Sequence, residues 1–400
     1  MIGRRGFLGG GAALGCSLAA SPLITPVAFA SAPFDQRLVV LILRGGMDGI
    51  DALRPLGDPA YAGLRPTLND GTHLDLGGFW GLHAALEPLM PLWDAGEFGA
   101  VQAVSTPYRD KRSHFDGQDI LEAGTVSLET DGGGWLNRLL GTIPGSEAET
   151  AYAIGREQMA ILAGDAPAMR WSPEAQLDIS PQAKRLLDLV HHNDPLFRDA
   201  SAQAITIAEQ LVLDAAAPED DDMAMAEAMM AEIDARGAHV ELARFAADRL
   251  RGETRIASFS IAAWDTHQNQ RVALRRALED LAETILTLRA GLGPVWDKTA
   301  ILCMTEFGRT AFENGTRGTD HGTGGAMFFA GGAVRGGQVL GDWPGLGEAE
   351  LYNRRDLMPT GDIRAAAGWV LRGLFGTDAD VIERVVFPGT ELGRDPGIIL

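Results

Sequence analysis

Short, continuous apolar runs recur along the chain, and they limit the possible folds more than any other feature of the sequence. The first run is Leu38–Leu43, and runs of the same texture lie at Ala100–Val104, Ile256–Ile261 and Ala300–Met304, with a looser one at Ala326–Ala330. A strand that is apolar at every position, and not only at alternate positions, is buried on both faces of its sheet. We therefore expect these runs to form the centre of one sheet that is covered on both sides.

The segments between the apolar runs have helical patterns. We predict helices at Leu82–Trp93, Phe115–Glu122, Arg271–Ala290 and Ile363–Phe375. Buried strands that alternate with helices indicate an α/β fold with a mostly parallel, doubly wound sheet. One segment departs from this alternation, because residues from about 180 to 251 are almost wholly helical in pattern. We interpret that segment as a helical insertion on the main fold.

The first thirty residues have the three parts of an export signal. A basic start with Arg4 and Arg5 precedes a short apolar stretch, and Ala28-Phe29-Ala30 follows as a cleavage site. The adjacent arginines are typical of the twin-arginine pathway. The apolar stretch is too short and too rich in glycine for a membrane helix, which needs ~20 apolar residues. We therefore predict a signal peptide at 1–30 that binds the twin-arginine translocase, a domain at 31–400, and a periplasmic or secreted protein without a stable membrane anchor.

The net charge limits the molecules that this protein can bind, and the number of cysteines limits its disulfide bonds. The formal net charge is −20 at pH 7. A strongly acidic surface repels nucleic acid and anionic membranes, so an anionic substrate would need a local positive charge from a metal ion or from arginines. The two cysteines are Cys16 and Cys303. Removal of the signal peptide would leave Cys303 alone, which excludes an intramolecular disulfide bond.

Polar residues follow three of the apolar runs, where open α/β sheets bind ligands. Asp48 lies in a glycine-rich turn after the first run, where capping of the turn explains the residue equally well. Asp265 and His267 follow the run at 256–261, and carboxylate with imidazole is a common zinc-binding combination. Glu306 and Arg309 follow the run at 300–304. Glu306 is a candidate metal ligand and Arg309 a candidate clamp for phosphate or sulfate oxygens, with a surface ion pair as the alternative.

Two further loops carry residue types that suggest chemistry. Ser113 precedes a predicted helix, whose N-terminal N–H groups would stabilise a serine alkoxide or a bound phosphate. The pattern Ser-x-x-Asp is also a capping box, so both roles of Ser113 remain open. Asp320 and His321 stand among glycines and threonines in GTDHGTGG, where no packing role explains them.

The motifs of these loops resemble those of known proteins. LILRGGMDGID, YRDKRSHFDGQDILEAG, WDTHQNQ, MTEFGRTAFENGT and TDHGTGGAMFFAGG resemble the bacterial family called domain of unknown function 1501. Their order along the chain resembles that of the alkaline phosphatase superfamily, which includes the sulfatases. The resemblance implies an alkaline-phosphatase-like fold and a divalent metal cofactor, with zinc expected and calcium or manganese as alternatives.

The same resemblance implies roles for individual residues. The metal ligands that it implies are Asp48, Asp265, His267, Glu306, Asp320 and His321. The catalytic residues that it implies are Arg309 and the residue at the position of the nucleophile, which is Ser113 or, if the loop is shifted by one residue, His114. The chain departs from the superfamily at Phe307, where phosphatases have a second histidine ligand. Asp116 or His114 would then fill that position, or only one metal ion would bind.

Two functions fit this sequence. The first is an exported metal-dependent hydrolase of small anionic phosphate or sulfate esters, which accounts for the ligand-type residues and the nearby arginines. The alternative is a non-catalytic exported binding protein that retains the fold, which accounts for the missing second histidine. The first accounts for more of the residues and is the function that we expect.

Overall fold

A mixed sheet of nine strands lies at the centre of the part of the chain that the structure describes. The structure is a computed structural model, and it describes residues 34–109, 111–127, 133–155, 159–172 and 223–400. The predicted signal peptide, and the predicted insertion as far as residue 222, lie outside these residues. The strands are β1 (Arg37–Leu43), β2 (Leu53–Arg54), β3 (His73–Asp75), β4 (Gly81–His83), β5 (Phe98–Ser105), β6 (Ala151–Ile154), β7 (Met169–Trp171), β8 (Ile256–Ile261), β9 (Thr299–Met304), β10 (Gly325–Ala330), β11 (Val339–Leu340) and β12 (Gly361–Asp362).

The large sheet is mostly parallel, as the sequence predicts. Its strand order is β11-β5-β10-β9-β1-β8-β6-β7, and β12 pairs with β5. β1 lies between β8 and β9 and is parallel to both. β10 runs antiparallel to its neighbours β5 and β9. The three remaining strands form a small antiparallel sheet in the order β2-β4-β3.

Both faces of the large sheet are covered by helices. Alternate residues of β1 belong to two separate apolar cores, with Leu41 in one and Val40 in the other, and both side chains are fully buried. Each such side chain stabilises the fold by about 1.5–3 kcal/mol on leaving water. The core around Leu41 includes the helix Gln270–Leu292, and the core around Val40 includes the helix Ile363–Phe375. The molecule is therefore a three-layer α/β structure.

The helices agree with the sequence pattern in most places. The helix Ile363–Phe375 has the predicted bounds, and His114–Ala123 and Gln270–Leu292 extend the predicted ones by one or two residues at each end. None of the helices in the described ranges is long and apolar enough to cross a membrane. The α-helices are Gly49–Ala52, Tyr61–Leu64, Met90–Asp94, His114–Ala123, Trp135–Thr142, Met223–Arg251, Gln270–Leu292, Ile363–Phe375 and Ala379–Val381; the shorter 3₁₀ and π segments are Ala84–Leu89, Ala148–Thr150, Ala160–Leu162, Gly293–Lys298 and Ile382–Val386.

The predicted helix Leu82–Trp93 is wrong in its first part. Its first two residues belong to strand β4, and a 3₁₀ segment and a short α-helix follow. Pro88 lies inside the 3₁₀ segment, and Pro91 lies in the first turn of the α-helix. Proline has no N–H group to donate to the preceding turn, so one continuous α-helix cannot form through both positions.

The direction of β10 determines which loops meet. β1, β5, β8 and β9 are parallel to one another, so their carboxyl ends lie at one edge of the sheet. Because β10 is antiparallel to them, the loop that comes before it lies at that same edge. Gly325, the first residue of β10, is paired with Val104 near the end of β5. The TDHG loop therefore lies at the same edge as the loops that follow the other strands.

Candidate metal centre

Three histidines at this edge of the sheet direct the same ring nitrogen toward one carboxylate. The Nε2 atoms of His114, His267 and His321 lie 3.4, 3.1 and 3.2 Å from the carboxylate oxygens of Asp265. The donor atoms of His114, Asp265 and His321 all lie within 4.8 Å of one another. These three residues form an arrangement that can hold a metal ion. His267 adds a further nitrogen, because its Nε2 lies 2.9 Å from that of His321.

The opposite nitrogen of each of these rings has an oxygen as its partner. The three Nδ1 atoms lie 2.9 Å from Glu306 Oε1 (His114), 3.1 Å from Asp320 Oδ1 (His267) and 2.8 Å from the main-chain carbonyl of Arg112 (His321). Carbonyl and carboxylate oxygens only accept hydrogen bonds, so each Nδ1 donates. A neutral ring then has its lone pair on Nε2. Histidines that bind metals in proteins typically have this arrangement, because the second hydrogen bond fixes the tautomer and the ring orientation.

Two features of the Nε2 atoms fit a metal ion. The Nε2 of His114 is buried and has no hydrogen-bond partner among the residues that the structure describes. A buried polar atom in this state destabilises a fold by about 1–3 kcal/mol. The Nε2 atoms of His267 and His321 would also bring two lone pairs together, unless a cation lies between them or one ring carries a second proton. A bound cation would therefore give the Nε2 of His114 a partner and would remove the conflict between the other two lone pairs.

The loops at this edge pack backbone against backbone. A Cβ atom on Gly45 would lie 2.5 Å from the main-chain nitrogen of Asp265, and one on Gly322 would lie 2.4 Å from the carbonyl of Arg309. Glycine is required at such close approaches. Arg112, two residues before His114, has a left-handed backbone with φ of 58°. Such conformations are unfavourable for residues other than glycine and are concentrated at functional sites.

Glu306 orients His114 from the interior. Its side chain is fully buried, and its Oε1 accepts hydrogen bonds from Gly45 N–H, His114 Nδ1 and Gln118 Nε2. Burial raises the pKa of Glu306, but hydrogen bonds, that of His114 first, outweigh burial and hold the pKa below its usual range. The same hydrogen bond raises the pKa of His114. Glu306 thus contacts a candidate ligand and supports its orientation.

Arg309 links three of the site loops. Its buried guanidinium donates to the carbonyls of Gly45, Gly46, Trp264 and Thr319, and NH2 lies 2.5 Å from Asp265 Oδ1. Burial raises the pKa of Asp265, but the hydrogen bond and charge of Arg309 lower it to about 2. All three guanidinium nitrogens therefore contact protein oxygens. The structure places Arg309 as a link between loops, whereas its position in the sequence predicts a clamp on substrate oxygens.

The structure does not bring Asp48 into the histidine cluster. Asp48 is fully buried, and Arg65 donates to both of its oxygens at 2.7 and 3.1 Å. Gln270 and Thr319 also donate to Asp48, which caps the short helix Gly49–Ala52. A metal ion at Asp48 would have to displace Arg65. The contacts of Asp48 agree with the capping role that the sequence leaves open.

The side chain that enters the cluster from the helix His114–Ala123 belongs to His114. Ser113 is the N-cap of this helix, and its Oγ accepts from the N–H of Asp116 at 3.4 Å. The main-chain N–H of Ser113 donates to the hydroxyl of Tyr108. The capping role of Ser113 is therefore present in the structure, and a catalytic role for this serine is what the resemblance alone implies.

Sequence reasoning missed several supporting residues. The ring of Phe307 is buried and packs against His114 and His321 with centroid distances of 5.1 and 5.0 Å. Asn314 donates to Asp320 Oδ1 and to the carbonyl of His267. No local pattern identifies Asn314. Gln118 has a signal in the sequence, since it lies four residues after His114 and so on the same helix face.

A comparison of the sequence with models of protein families identifies the family of this chain. Residues 103–386 match the model of a family described as "Protein of unknown function (DUF1501)". The chain belongs to this family. The matched region contains the whole histidine cluster with its carboxylates, whereas Asp48 and the first strand precede it. The description of the DUF1501 family assigns no activity, and no curated protein matches the sequence.

Proposed function

We propose that this protein is an exported metal-dependent hydrolase of phosphate or sulfate esters. The observation that supports this proposal most strongly is the convergence of three imidazole Nε2 atoms on Asp265. The cluster is open to solvent, since the side chains of Asp265 and His267 are 46% and 38% exposed. A small ester can therefore reach the donors. The resemblance to the alkaline phosphatase superfamily supports the ester chemistry. The three-layer α/β structure supports a fold of that type.

We propose one zinc ion held by His114, Asp265 and His321. Nitrogen donors with one carboxylate favour zinc over calcium and manganese, which prefer oxygen ligands. Three protein ligands leave a position for substrate, as in catalytic zinc sites. A bound zinc ion would polarise the ester and lower the pKa of a water molecule. The contacts of Asp48 with Arg65 support a single ion, because they occupy the carboxylate that a second ion would need.

The chain's own residues supply substrate attraction and proton transfer in this proposal. Lys111 and Arg112 are exposed and precede His114 by three and two residues, so they place positive charge beside the cluster in a chain with net charge −20. Such a local charge attracts anionic esters. His267 Nε2 would move a proton to the leaving oxygen, while Asp320 Oδ1 holds the proton on Nδ1 and so orients the ring.

A second candidate function is a non-catalytic exported binding protein with a structural metal ion. The Nε2 of His267 lies 3.1 Å from Asp265 Oδ1 and 2.9 Å from His321 Nε2. If His267 also binds the ion, four protein ligands surround it, and closed sets of four are typical of structural zinc sites. The position of His267 is therefore the specific observation that favours this alternative.

Metal content and turnover measured on the same preparation test the proposal. We expect the purified protein to contain near-stoichiometric zinc by elemental mass spectrometry, and to hydrolyse p-nitrophenyl phosphate or p-nitrophenyl sulfate. Chelation should abolish turnover and zinc should restore it, with manganese and calcium as comparison ions. His321→Ala should lose both metal and turnover, whereas the control His73→Ala, an exposed histidine on β3, should lose neither. Metal without turnover of either ester would favour the binding protein, and absence of metal would refute both candidates.

A further inference from the structure

Two loops of the metal centre also line a separate polar cavity. Most of the charged residues that line this cavity are basic. Its volume is about 390 Å³, within the range of ~300–1,000 Å³ that is typical of small-molecule sites. Asn269 in its wall follows His267 by two residues, and Arg317 precedes Asp320 by three. None of the residues that we assign to the metal lines this cavity. It is therefore a separate candidate site.

The charged side chains of the lining favour an anion. The arginines in the wall are Arg54, Arg271, Arg275 and Arg317, against two aspartates, Asp51 and Asp70. These aspartates already pair with Arg54, and Asp70 also pairs with Arg271. A net positive lining in a chain with net charge −20 concentrates anions at this point of the surface.

Two of the four arginines have charge available for a ligand. Within the described part of the chain, the one ion pair of Arg275 is a long contact of 3.8 Å with Glu279, and both of these side chains are about half exposed. Such surface pairs contribute ~0–1 kcal/mol. Arg317 has no ion-pair or side-chain hydrogen-bond partner among the residues that the structure describes. An anion in the cavity would therefore not have to displace a strong internal partner from either guanidinium.

His83 offers an unpaired donor inside the cavity. The residue is only 4% exposed, and its Nδ1 accepts a hydrogen bond from the N–H of Ala85 at 3.1 Å. Burial first, and then the charges of Arg54 and Arg275, lower the pKa of His83 to about 4. The neutral ring therefore carries its proton on Nε2. In the described part of the chain this Nε2 has no hydrogen-bond partner, so it can donate to an acceptor in the cavity.

The positive end of a long helix also lies at this cavity. The 23-residue helix Gln270–Leu292 begins here, and Asn269, Arg271 and Val272 are part of the wall. Asn269 is the N-cap, but its side chain makes no capping hydrogen bond. The N–H groups of Gln270 and Val272 already donate to the carbonyls of Arg317 and Asn269, so the helix contributes its dipole, which favours a bound anion, and not these two donors. The helix start thus adds to the arginines and to His83.

We propose that this cavity binds a small organic oxyanion, whose carboxylate or phosphate group contacts Arg275, Arg317 and the Nε2 of His83. The proposal does not depend on the hydrolase activity, because it assigns a ligand to a cavity outside the metal centre. The available guanidinium groups form charge-assisted hydrogen bonds with either kind of oxyanion. The cavity is large enough for a small organic molecule that carries such a group.

Calorimetric titration of the purified protein with inorganic phosphate and, separately, with succinate tests this proposal. We expect saturable binding of at least one probe, and the stronger probe identifies the class of anion. Arg317→Gln and Arg275→Gln should each weaken binding by about tenfold or more, because each removes a charged donor. The matched control is Arg276→Gln, which changes an exposed arginine on the same helix that does not line the cavity, and it should leave binding unchanged.

Three outcomes would overturn the proposal. Wild-type protein that binds neither probe at millimolar concentration has no such site. If Arg276→Gln weakens anion binding as much as the two cavity variants do, binding depends on the overall charge of the protein and not on this cavity. Loss of binding in the metal-centre variant His321→Ala would show that the probe occupies the metal centre. Circular dichroism and thermal melting check that each variant is folded, and Arg275→Lys, which keeps the charge, should recover part of the affinity. Anion binding that persists in an inactive protein would leave the cavity proposal intact and refute only the hydrolase.

Discussion

The Nε2 atoms of His267 and His321 lie 2.9 Å apart, although each ring already donates a hydrogen bond through Nδ1. Two neutral rings in this arrangement would bring their lone pairs together. A metal ion on His321 or a second proton on His267 removes that conflict. The role of His267 therefore distinguishes the two candidate functions. In the hydrolase His267 transfers a proton, and in the binding protein it is the fourth ligand of a structural metal ion.

We expect His267→Ala to retain the metal ion and to lower turnover by about 10²–10⁴-fold, the range that general acid–base catalysis supplies. The physical reason is that His114, Asp265 and His321 still hold the ion, while the proton-transferring ring is gone. Elemental analysis and ester turnover on one preparation measure both effects. If the metal leaves together with His267, the site has four ligands and the structural candidate is favoured.

We expect Glu306→Gln to weaken metal affinity by about 10–100-fold, the usual effect of changing the partner of a ligand. The carboxylate accepts three hydrogen bonds on Oε1, and the amide keeps this oxygen but loses the negative charge that strengthens them. Competition with a zinc-binding dye measures the affinity. The matched control is Glu348→Gln, because Glu348 is 77% exposed and its one ion pair in the described ranges is with Arg354 at 3.6 Å. Unchanged affinity in Glu306→Gln would contradict the orienting role.

We expect Ser113→Ala to lower the free energy of unfolding by ~0.5–2 kcal/mol and to leave turnover largely intact. The reason is the contact between Ser113 Oγ and the N–H of Asp116, which is a helix cap. Chemical denaturation and ester turnover measured on the same variant separate the two roles. Loss of turnover with unchanged metal content and stability would instead assign the nucleophile to Ser113.

We expect replacement of both Arg4 and Arg5 by lysine to retain the protein in the cytoplasm as an uncleaved precursor. The twin-arginine receptor recognises the guanidinium pair, and lysine keeps the charge but lacks the planar group. Cell fractionation followed by immunoblotting measures the location and the size of the chain. Processing of the double variant at the normal rate would refute export by this pathway.

Local sequence determined the strands at the centre of the fold. The strand Ile256–Ile261 and the helix Ile363–Phe375 have the bounds that their residue patterns indicate. The reason is that the spacing of apolar residues within each segment determines which of its faces are buried. The short strands β6 and β7 were not predicted. Strands of three or four residues at a sheet edge depend on a neighbouring strand more than on their own pattern.

The sequence by itself also identified the loops that form the candidate site, since polar residues in glycine-rich segments follow or precede buried strands. Only the tertiary structure decided which side chains meet. Arg65, which lies 17 residues after Asp48, donates to both of its oxygens, and Arg309 donates to main-chain carbonyls of three loops. The reversed direction of β10 brings His321 to the edge where His114 lies. Such competition for partners arises between segments far apart in the chain, so no local pattern records it.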